Sequence, residues 1–561
     1  MLLVFILGLA GILARLVLLQ VRDASAYQEL ARDQRIRRVA LPASRGSIFD
    51  RTGQELAMSL PATAVFADPQ LILKRASTAR TVAKALNLRY RDVFAKLSRP
   101  GRFVYVARGV TAARADALRQ RHLPGIGFHS ESRRHYPARD LAPQVLGFVG
   151  VDGTGLAGLE LQYERRLAGR AGHAVVESGP QGIQIPQGTS LDVPPVTGDA
   201  LVLTIDEDIQ YRAQQALAAA VKANHAKGGT VIVMDPGSGE ILAMADYPWF
   251  DPNRFTEADA GYLRNRAVTD VYEPGSVNKV VTAAAAVEER VLKLKERLRV
   301  EDRYTMSSKT FSDAHPHSPR DMTLGDVIAY SSNIGAIHVA ERLGKERLYA
   351  YLQRFGLTER TGIDFPGESP GILPPPERWW GPSLGTITIG QGIAVTPLQM
   401  AAVYATIANG GVWVQPRLVR GTVGNDGRFI SAPAPTSRRV ISERTARVLA
   451  RMLAYAVDVG TGRQAQIARF WVAGKTGTAR KPLEDAAGYS DKHVASFIGF
   501  VPSSRPALVV AAVLDEPETV FGGVAAAPLF RDVARFALAR LRIPPAPKLR
   551  PPPHAVPLPA A

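Results

Sequence analysis

The chain has 561 residues, 46% hydrophobic and 21% charged, a globular composition with room for two or three domains that excludes a largely disordered or fibrous chain. A net charge of +18 favours an anionic neighbour such as a membrane surface or a phosphate-bearing substrate. The arginines are spread along the whole sequence instead of forming a basic stripe with interleaved aromatics, which argues against nucleic acid. The absence of cysteine excludes disulfides, thiolate nucleophiles and cysteine-bound zinc, and suits an exported protein.

The first element is an apolar run. Residues Leu2 to Leu19 hold thirteen strongly apolar side chains, worth roughly −4 to −8 kcal/mol toward insertion, against about +2.5 to +3.5 for Arg15 at mid-bilayer. Insertion wins, and Arg15 can reach the nearer interface. Residues 1–21 are therefore expected to be a transmembrane anchor. A cleaved signal peptide is disfavoured despite Ala24-Ser25-Ala26, because no basic stretch precedes the run and the run is long for a signal.

Residues 22–198 follow as an irregular non-catalytic domain. "DASAYQELARDQRIRRVALP" reads as a short amphipathic helix leading into extended chain. "RGSIFDRTGQELAMSL" sets Gly46, Asp50 and Gly53 between apolar runs, as hairpins do. Short helical and strand patterns continue to residue 200 with no long periodic core.

Near residue 199 the texture changes. "ALVLTIDEDIQYRAQQALAAAVKANHAKGGTVIVMDPGSGEILAMADYP" reads as strand, amphipathic helix, strand, tight turn, strand. A helix-rich middle follows to about 465, with "TPLQMAAVYATIANGG" its clearest member and Gly410-Gly411 its stop. Strands return in "FWVAGKTGTAR", "VASFIGFVP" and "PALVVAAVLDEP", before a helix in "APLFRDVARFALARL". Strands at both ends with helices between predict one antiparallel sheet flanked by helices, an α+β domain over 199–541. Residues 542–561 are rich in proline and read as a flexible tail.

Three short patterns compete for the active site. Gly153-Thr-Gly155-Leu-Ala-Gly158 fits a dinucleotide fingerprint, but no series of alternating strands and helices follows it. Gly381-Pro-Ser383-Leu-Gly385 fits a nucleophile elbow. That motif needs a helix directly after the serine, and "TITIGQG" is β-branched and then glycine-rich. The third is "YEPGSVNKVV". Pro274-Gly275 stops what precedes, and Ser276 falls at or within the first turn of an apolar helix, where serine is a favoured cap. Lys279 at i+3 shares its face and is close enough to take its proton. Burial in "VVTAAAAV" lowers a lysine pKa, and neutrality near pH 7 asks for a depression of about three units, ~4 kcal/mol.

Two further stretches change the balance. "AYSSNIGAIHVAERLG" projects Ser331 and Asn333 together from a loop or helix start. "FWVAGKTGTARK" puts Lys475, Thr476, Gly477 and Thr478 on a strand whose glycine lets another backbone approach and whose N–H groups can bind an oxyanion or carboxylate. The order S-x-x-K, S-x-N, K-T-G within one α+β domain is the serine-acyltransferase set.

With these motifs the sequence resembles the class B penicillin-binding proteins, membrane-anchored peptidoglycan D,D-transpeptidases, over nearly its whole length. "RGSIFDRTGQELA", "GLAGLELQYERRLAG", "VIVMDPGSGEILAMADYPWFDPN" and "IGQGIAVTPLQMAAVYATIANGG" carry the likeness outside the three motifs. "YEPGS" and "SDAHPHSPRDMTLGDVIAYSSN" resemble the division-type, FtsI-like branch more than the elongation branch. Val277 and Asn278 depart from the commoner Thr-x pair between serine and lysine. The resemblance implies a pedestal or dimerisation-like role for 22–198 and an extracytoplasmic catalytic domain on a single-pass anchor in the cell membrane.

It implies that Ser276 is the nucleophile toward stem peptides ending in D-Ala-D-Ala, Lys279 the base and Ser331 the proton shuttle. Lys475 would supply positive charge that keeps Lys279 neutral, and Asn333 would hold the substrate amide. Backbone N–H groups of Ser276 and Thr478 would form the oxyanion hole, with the Thr476 and Thr478 hydroxyls near the terminal carboxylate and Gly477 between them. β-Lactams would acylate the same serine. A glycosyltransferase of the SEDS family and divisome proteins are implied partners. No cofactor or metal is expected, and His315 and His317 read as loop features. The rival readings are an elongation-type transpeptidase, a D,D-carboxypeptidase, and a β-lactam-binding scaffold or sensor without turnover.

Overall fold

The computed structural model describes residues 1–22, 36–178, 184–483 and 488–552. An apolar helix, Leu2–Val21, opens the chain with a mean hydropathy of 2.7 and no buried residue, long and apolar enough to cross a membrane. Most of the amphipathic helix expected after it, and the Ala24-Ser25-Ala26 stretch, lie outside the described residues.

The chain divides into two compact units: Met1–Gly46, Ser59–Arg133 and Arg165–Asp199 in one, and Ser47–Met58, Arg134–Glu164 and Ala200–Ala561 in the other. The division is interleaved, where the sequence suggested a single boundary at residue 198. The insertion Arg134–Glu164 belongs with the second unit for polar reasons. Asn253 Nδ2 donates to Tyr136 O at 3.0 Å, and the backbone N–H of Ala142 donates to Gln214 Oε1 at 3.1 Å. Gln144 Nε2 donates to Pro248 O (2.9 Å) and Tyr262 O (3.1 Å).

In the first unit, strand Ile36–Leu41 runs antiparallel to Gly172–Ser178, which pairs in turn with Gln184–Val193. Helices Arg75–Leu86, Tyr90–Leu97 and Ala112–Arg119 bury Val82, Leu86, Val93, Leu97 and Leu118 against Val65 and Val106. Helix Arg75–Leu86 has a helical face of Thr78, Ala79, Val82, Ala83 and Leu86. Threonine and alanine supply much of that face, which is why no periodic core stands out in the sequence.

The second unit is built on a five-stranded sheet: β1 (Gly228–Met234), β2 (Ile241–Tyr247), β3 (Ala473–Pro482), β4 (Tyr489–Val501) and β5 (Leu508–Asp515). Their order is β2-β1-β5-β4-β3 and every pairing is antiparallel. The two ends of the domain thus close one sheet, as the strand pattern predicted. Six helices carry or cover the site: α1 (Glu207–Ala223), α2 (Lys279–Glu288), α3 (Asn333–Leu343), α4 (Pro397–Ala408), α5 (Glu443–Asp458) and α6 (Ala527–Arg540). Ile209 and Leu217 of α1 and Phe530 of α6 pack with Val231, Val233, Phe497 and Val510 on one side of the sheet. Helix α4 packs against β1, β4 and β5. Every residue of β1 is buried, so this sheet presents no open face there. Thr396 and Gln399 cap α4 reciprocally and Gly410 and Gly411, both at positive φ, end it.

The tail departs from expectation. Lys548 pairs with Asp458 at 2.9 Å, Ser504 Oγ donates to Pro547 O at 2.6 Å, and Pro552 is buried. As far as Pro552 the segment is laid against the domain through individual contacts that its composition does not reveal. Residues 553–561 lie outside the described residues.

Candidate active site

Two glycines shape the serine turn. Gly275 sits at φ +61° and donates its N–H to Gly390 O at 2.9 Å. A Cβ on Gly390 would lie 2.1 Å from Gly275 O, so the "EPGS" and "IGQG" turns fit only as glycines. The buried Tyr404 donates to Val277 O (3.1 Å), and the buried Asn278 donates through Nδ2 to Ile387 O (2.9 Å). Gly275–Asn278 forms a single 3-10 turn that runs straight into α2, and no side chain caps it. Ser276 is half-buried and its hydroxyl is not engaged as a helix cap.

Lys279, the first residue of α2, is wholly buried. Its Nζ donates to Ser331 O (2.6 Å) and Asn333 Oδ1 (2.6 Å), with Ser331 Oγ at 3.4 Å. Burial lowers its pKa to about 7, opposed by the charge of Asp313. A neutral amine has two N–H groups for the two short contacts, which leaves its lone pair free for a serine proton.

The S-x-N loop is held by Asp313, a residue that sequence reasoning missed. Ser331 adopts φ +61°, uncommon for a residue with a side chain. Ser332 Oγ donates to Asp313 Oδ2 (2.8 Å) and accepts from Gly335 N (2.9 Å), capping α3. Asp313 Oδ1 accepts from the backbone N–H groups of Asn333 and Ile334. His317 Nε2 lies 3.1 Å from Asp313 Oδ2, and its Nδ1 2.8 Å from Ser318 O. His317 is therefore a support of this loop. Among the described residues no cluster of three metal-ligating side chains occurs. The stretch "SDAHPHS" carried the signal, yet nothing in it says which carboxylate meets which N–H.

Strand β3 is an edge strand of the sheet and brings the third motif. A Cβ on Gly477 would lie 2.3 Å from Ser496 Oγ and 2.9 Å from Pro274 O, and one on Gly275 would lie 2.6 Å from Thr478 O. Strand and serine turn touch backbone to backbone, as the glycine in "KTGT" suggested. Thr476 Oγ1 shares a hydrogen bond with Thr461 Oγ1 (2.7 Å), and Thr478 Oγ1 accepts from Gly522 N (3.2 Å). Thr461 and Gly522 were not singled out in the sequence. Lys475 is buried and donates to Thr476 O (3.2 Å) and Thr476 Oγ1 (3.4 Å). Burial, and then the neighbouring Lys279, push its pKa well down.

This arrangement coincides with known families. Residues 229–535 match the penicillin-binding protein transpeptidase domain and residues 40–203 the penicillin-binding protein dimerisation domain. The penicillin-binding protein PbpB of Mycolicibacterium smegmatis is 36% identical, covering 96% of this chain and 89% of the relative. The peptidoglycan D,D-transpeptidase FtsI of Escherichia coli is 32% identical, covering 96% and 91%. The chain belongs to the class B penicillin-binding proteins. The crystal structure of penicillin-binding protein 3 from Mycobacterium tuberculosis complexed with ampicillin resembles it with a TM-score of 0.74 and 32% identity, over 92% of this chain and 99% of that one.

Within this penicillin-binding protein the two competing motifs have structural explanations. Gly155 and Gly158 allow close backbone packing: added Cβ atoms would lie 2.1 Å from Glu160 O and 2.5 Å from Gly147 N. The helix expected to be missing after Ser383 is present, at Ser383–Thr388, where the Thr386 and Thr388 hydroxyls donate to Pro382 O (2.9 Å) and Leu384 O (2.7 Å) one turn back. An elbow still does not form, since the segment before it is a 3-10 turn, Pro376–Arg378, and Ser383 Oγ accepts from Trp380 N at 3.1 Å.

Proposed function

We propose that this class B penicillin-binding protein is a peptidoglycan D,D-transpeptidase working through an acyl-enzyme on Ser276, in septal wall synthesis. The observation that carries the reading is a buried amine, Lys279, one helical turn from Ser276 and bonded to both Ser331 and Asn333. Neutral Lys279 takes the Ser276 proton as Oγ attacks the carbonyl between the two terminal D-alanines of a stem peptide. The proton passes by way of Ser331 to the leaving amine, D-alanine departs, and Ser276 holds the acyl group as an ester. The side-chain amine of a neighbouring stem peptide then attacks the ester, loses its proton to Lys279 and restores the Ser276 hydroxyl. Asn333 holds the substrate amide. The N–H groups of Ser276 and Thr478 receive the oxyanion, beside the backbone contact of Gly275 with Thr478.

The terminal carboxylate binds at Lys475, Thr476 and Thr478 and brings a charge to the buried Lys475, whose pKa rises in response. A protonated Lys475 then disfavours a second charge on Lys279. The base is thereby made ready by the substrate's own carboxylate. β-Lactams imitate the D-Ala-D-Ala end and remain attached to Ser276. The N-terminal helix anchors the chain in the cell membrane with this domain outside, where a SEDS-family glycosyltransferase and divisome proteins are its partners.

Labelling with a fluorescent penicillin tests the centre of this reading: Ser276→Ala is expected to abolish the covalent band, and undiminished labelling would sink the assignment. A fluorescent fusion concentrated along lateral walls instead of at septa would reject the division role.

A further inference from the structure

Arginine is spread along the chain, but acidic residues are not. Residues 59–133 carry fourteen lysines and arginines against four acidic residues, a net +10, whereas the other 486 residues together carry +8. A compositional bias of the whole sequence would not leave over half of the net charge in 75 residues. Three of the four acids are already engaged by arginines: Asp68 by Arg102, Asp116 by Arg119 and Glu131 by Arg108.

Part of this excess lies on one helix pair. Helices Arg75–Leu86 and Tyr90–Leu97 bury Val82, Leu86, Val93 and Leu97, which fixes their outward faces. Arg80 and Lys84, one turn apart and both exposed, line the first helix. On the second, Tyr90 and Phe94 are also one turn apart, their rings stacked at 5.7 Å and each 37% exposed. The Arg80 guanidinium lies 5.8 Å from the centre of the Tyr90 ring, which joins the two rows into one surface. Arg89 and Arg91 flank Tyr90 in the chain and are exposed, as is Leu88. Among the described residues none of Arg80, Lys84, Arg89 and Arg91 pairs with a carboxylate. Asp92, two positions on from Tyr90, does not share its row.

Cations interleaved with exposed tyrosine, phenylalanine and leucine match the chemistry of a headgroup layer. The cations meet lipid phosphates, and the rings sit at the level between water and acyl chain. A soluble polyanion would answer the charge and leave the rings in water. The chain also brings a membrane within reach, since Leu2–Val21 is long and apolar enough to cross one. Tethering makes even a weak contact intramolecular. We propose that the helix pair Arg75–Leu86 and Tyr90–Leu97 docks on anionic lipid headgroups of the membrane that holds the N-terminal helix, with Arg80, Lys84 and Arg91 on phosphates and Tyr90 and Phe94 at the interface. This docking rests on the membrane anchor of the proposed function and is independent of the chemistry at Ser276.

The chain contains no cysteine, so Ala95→Cys, at an exposed position beside Phe94, takes a single fluorophore. The labelled full chain is placed in nanodiscs of neutral phosphatidylcholine, or of phosphatidylcholine with about one third phosphatidylglycerol, all with the same share of headgroup-spin-labelled lipid. Quenching is expected in the anionic discs, and it should be lost in about 1 M salt, where charges are screened within ~3 Å. The docking equilibrium constant should fall at least about tenfold in neutral discs, and as much when Arg80→Gln, Lys84→Gln and Arg91→Gln are combined. Equal quenching in neutral and anionic discs, none in the anionic ones, persistence in high salt, or no change in the triple variant overturns the docking. The lipid and salt arms decide the matter even if the triple variant does not fold. Binding of soluble poly(glycerol phosphate) without quenching in anionic discs would overturn it in favour of a polymer. Co-elution of the chain with the discs tests the anchor separately: co-elution with anionic discs alone would reject the anchor and keep the docking, and co-elution with neither would reject both.

Discussion

Two buried lysines meet at the active site, one from a helix and one from a strand, and their surroundings differ. Lys279 at the start of α2 has Ser331 O and Asn333 Oδ1 at 2.6 Å and the charge of Asp313 nearby. Among the described residues Lys475 on β3 has the carbonyl and hydroxyl of Thr476 as its acceptors, both beyond 3 Å. Burial disfavours a proton on either amine. An anion bound beside Lys475 would favour its ammonium, and a charge there disfavours one on Lys279. On the proposed mechanism the base is a property of the two regions together, and removing either lysine is expected to have a different signature.

The largest effect is expected at the helix. Lys279→Met removes the proton acceptor, and the rate constant for acylation by a fluorescent penicillin is expected to fall by about 10³ to 10⁴-fold. A fall of less than about tenfold would give the base role to another group. The strand comes next: Lys475→Met is expected to lower the same constant by about 10² to 10³-fold, because the charge answering the carboxylate is gone. Esterifying the β-lactam carboxylate sharpens the contrast. The ester should react slowly with the unsubstituted protein and lose little more with Lys475→Met, whereas it should lose the full factor with Lys279→Met. Equal further losses in the two variants would erase the distinction between the lysines.

A third expectation tests the contact that joins helix and strand. Gly477→Ala places a Cβ against Ser496 Oγ and Pro274 O, and only the serine hydroxyl can rotate away. Separation of β3 from the serine turn is expected to slow acylation by about ten- to a hundredfold while the thermal midpoint drops by a few degrees. A stability loss with unchanged acylation would show that the turn and strand need no fixed spacing.

That contact also marks how far the sequence could be read. Ser276 and Lys279 were legible because i and i+3 share a helix face, and Gly477 because a glycine inside a strand announces a close approach. The antiparallel sheet was legible from apolar runs at both ends of one domain. Asp313 was not, since its meaning lies in three N–H and O–H donors of the S-x-N loop, which only tertiary closure supplies. The contacts of the tail as far as Pro552 were hidden for a related reason: proline-rich composition predicts a lack of core, and single contacts such as Lys548 with Asp458 have no periodicity. Interleaving of Arg134–Glu164 rests on amide-to-carbonyl bonds, which leave no local pattern either.

The smallest effect is the most diagnostic of the lysine pair. Lys279 must be neutral to accept the Ser276 proton, and burial places its pKa at about 7. The acylation rate should therefore rise with pH through an inflection near that value and level off above it, because raising the pH removes the proton that blocks the base. Asp313 acts in the opposite sense to burial, since its negative charge favours the ammonium and raises the lysine pKa. In Asp313→Asn the amide oxygen still accepts from the N–H groups of Asn333 and Ile334, while the charge is lost. The inflection should then move to lower pH with the high-pH plateau nearly kept. A shift to higher pH, or the loss of the plateau with no shift, would mean that Asp313 serves Lys279 only by holding Asn333 in place. The titrating base would then need to be sought elsewhere in the site.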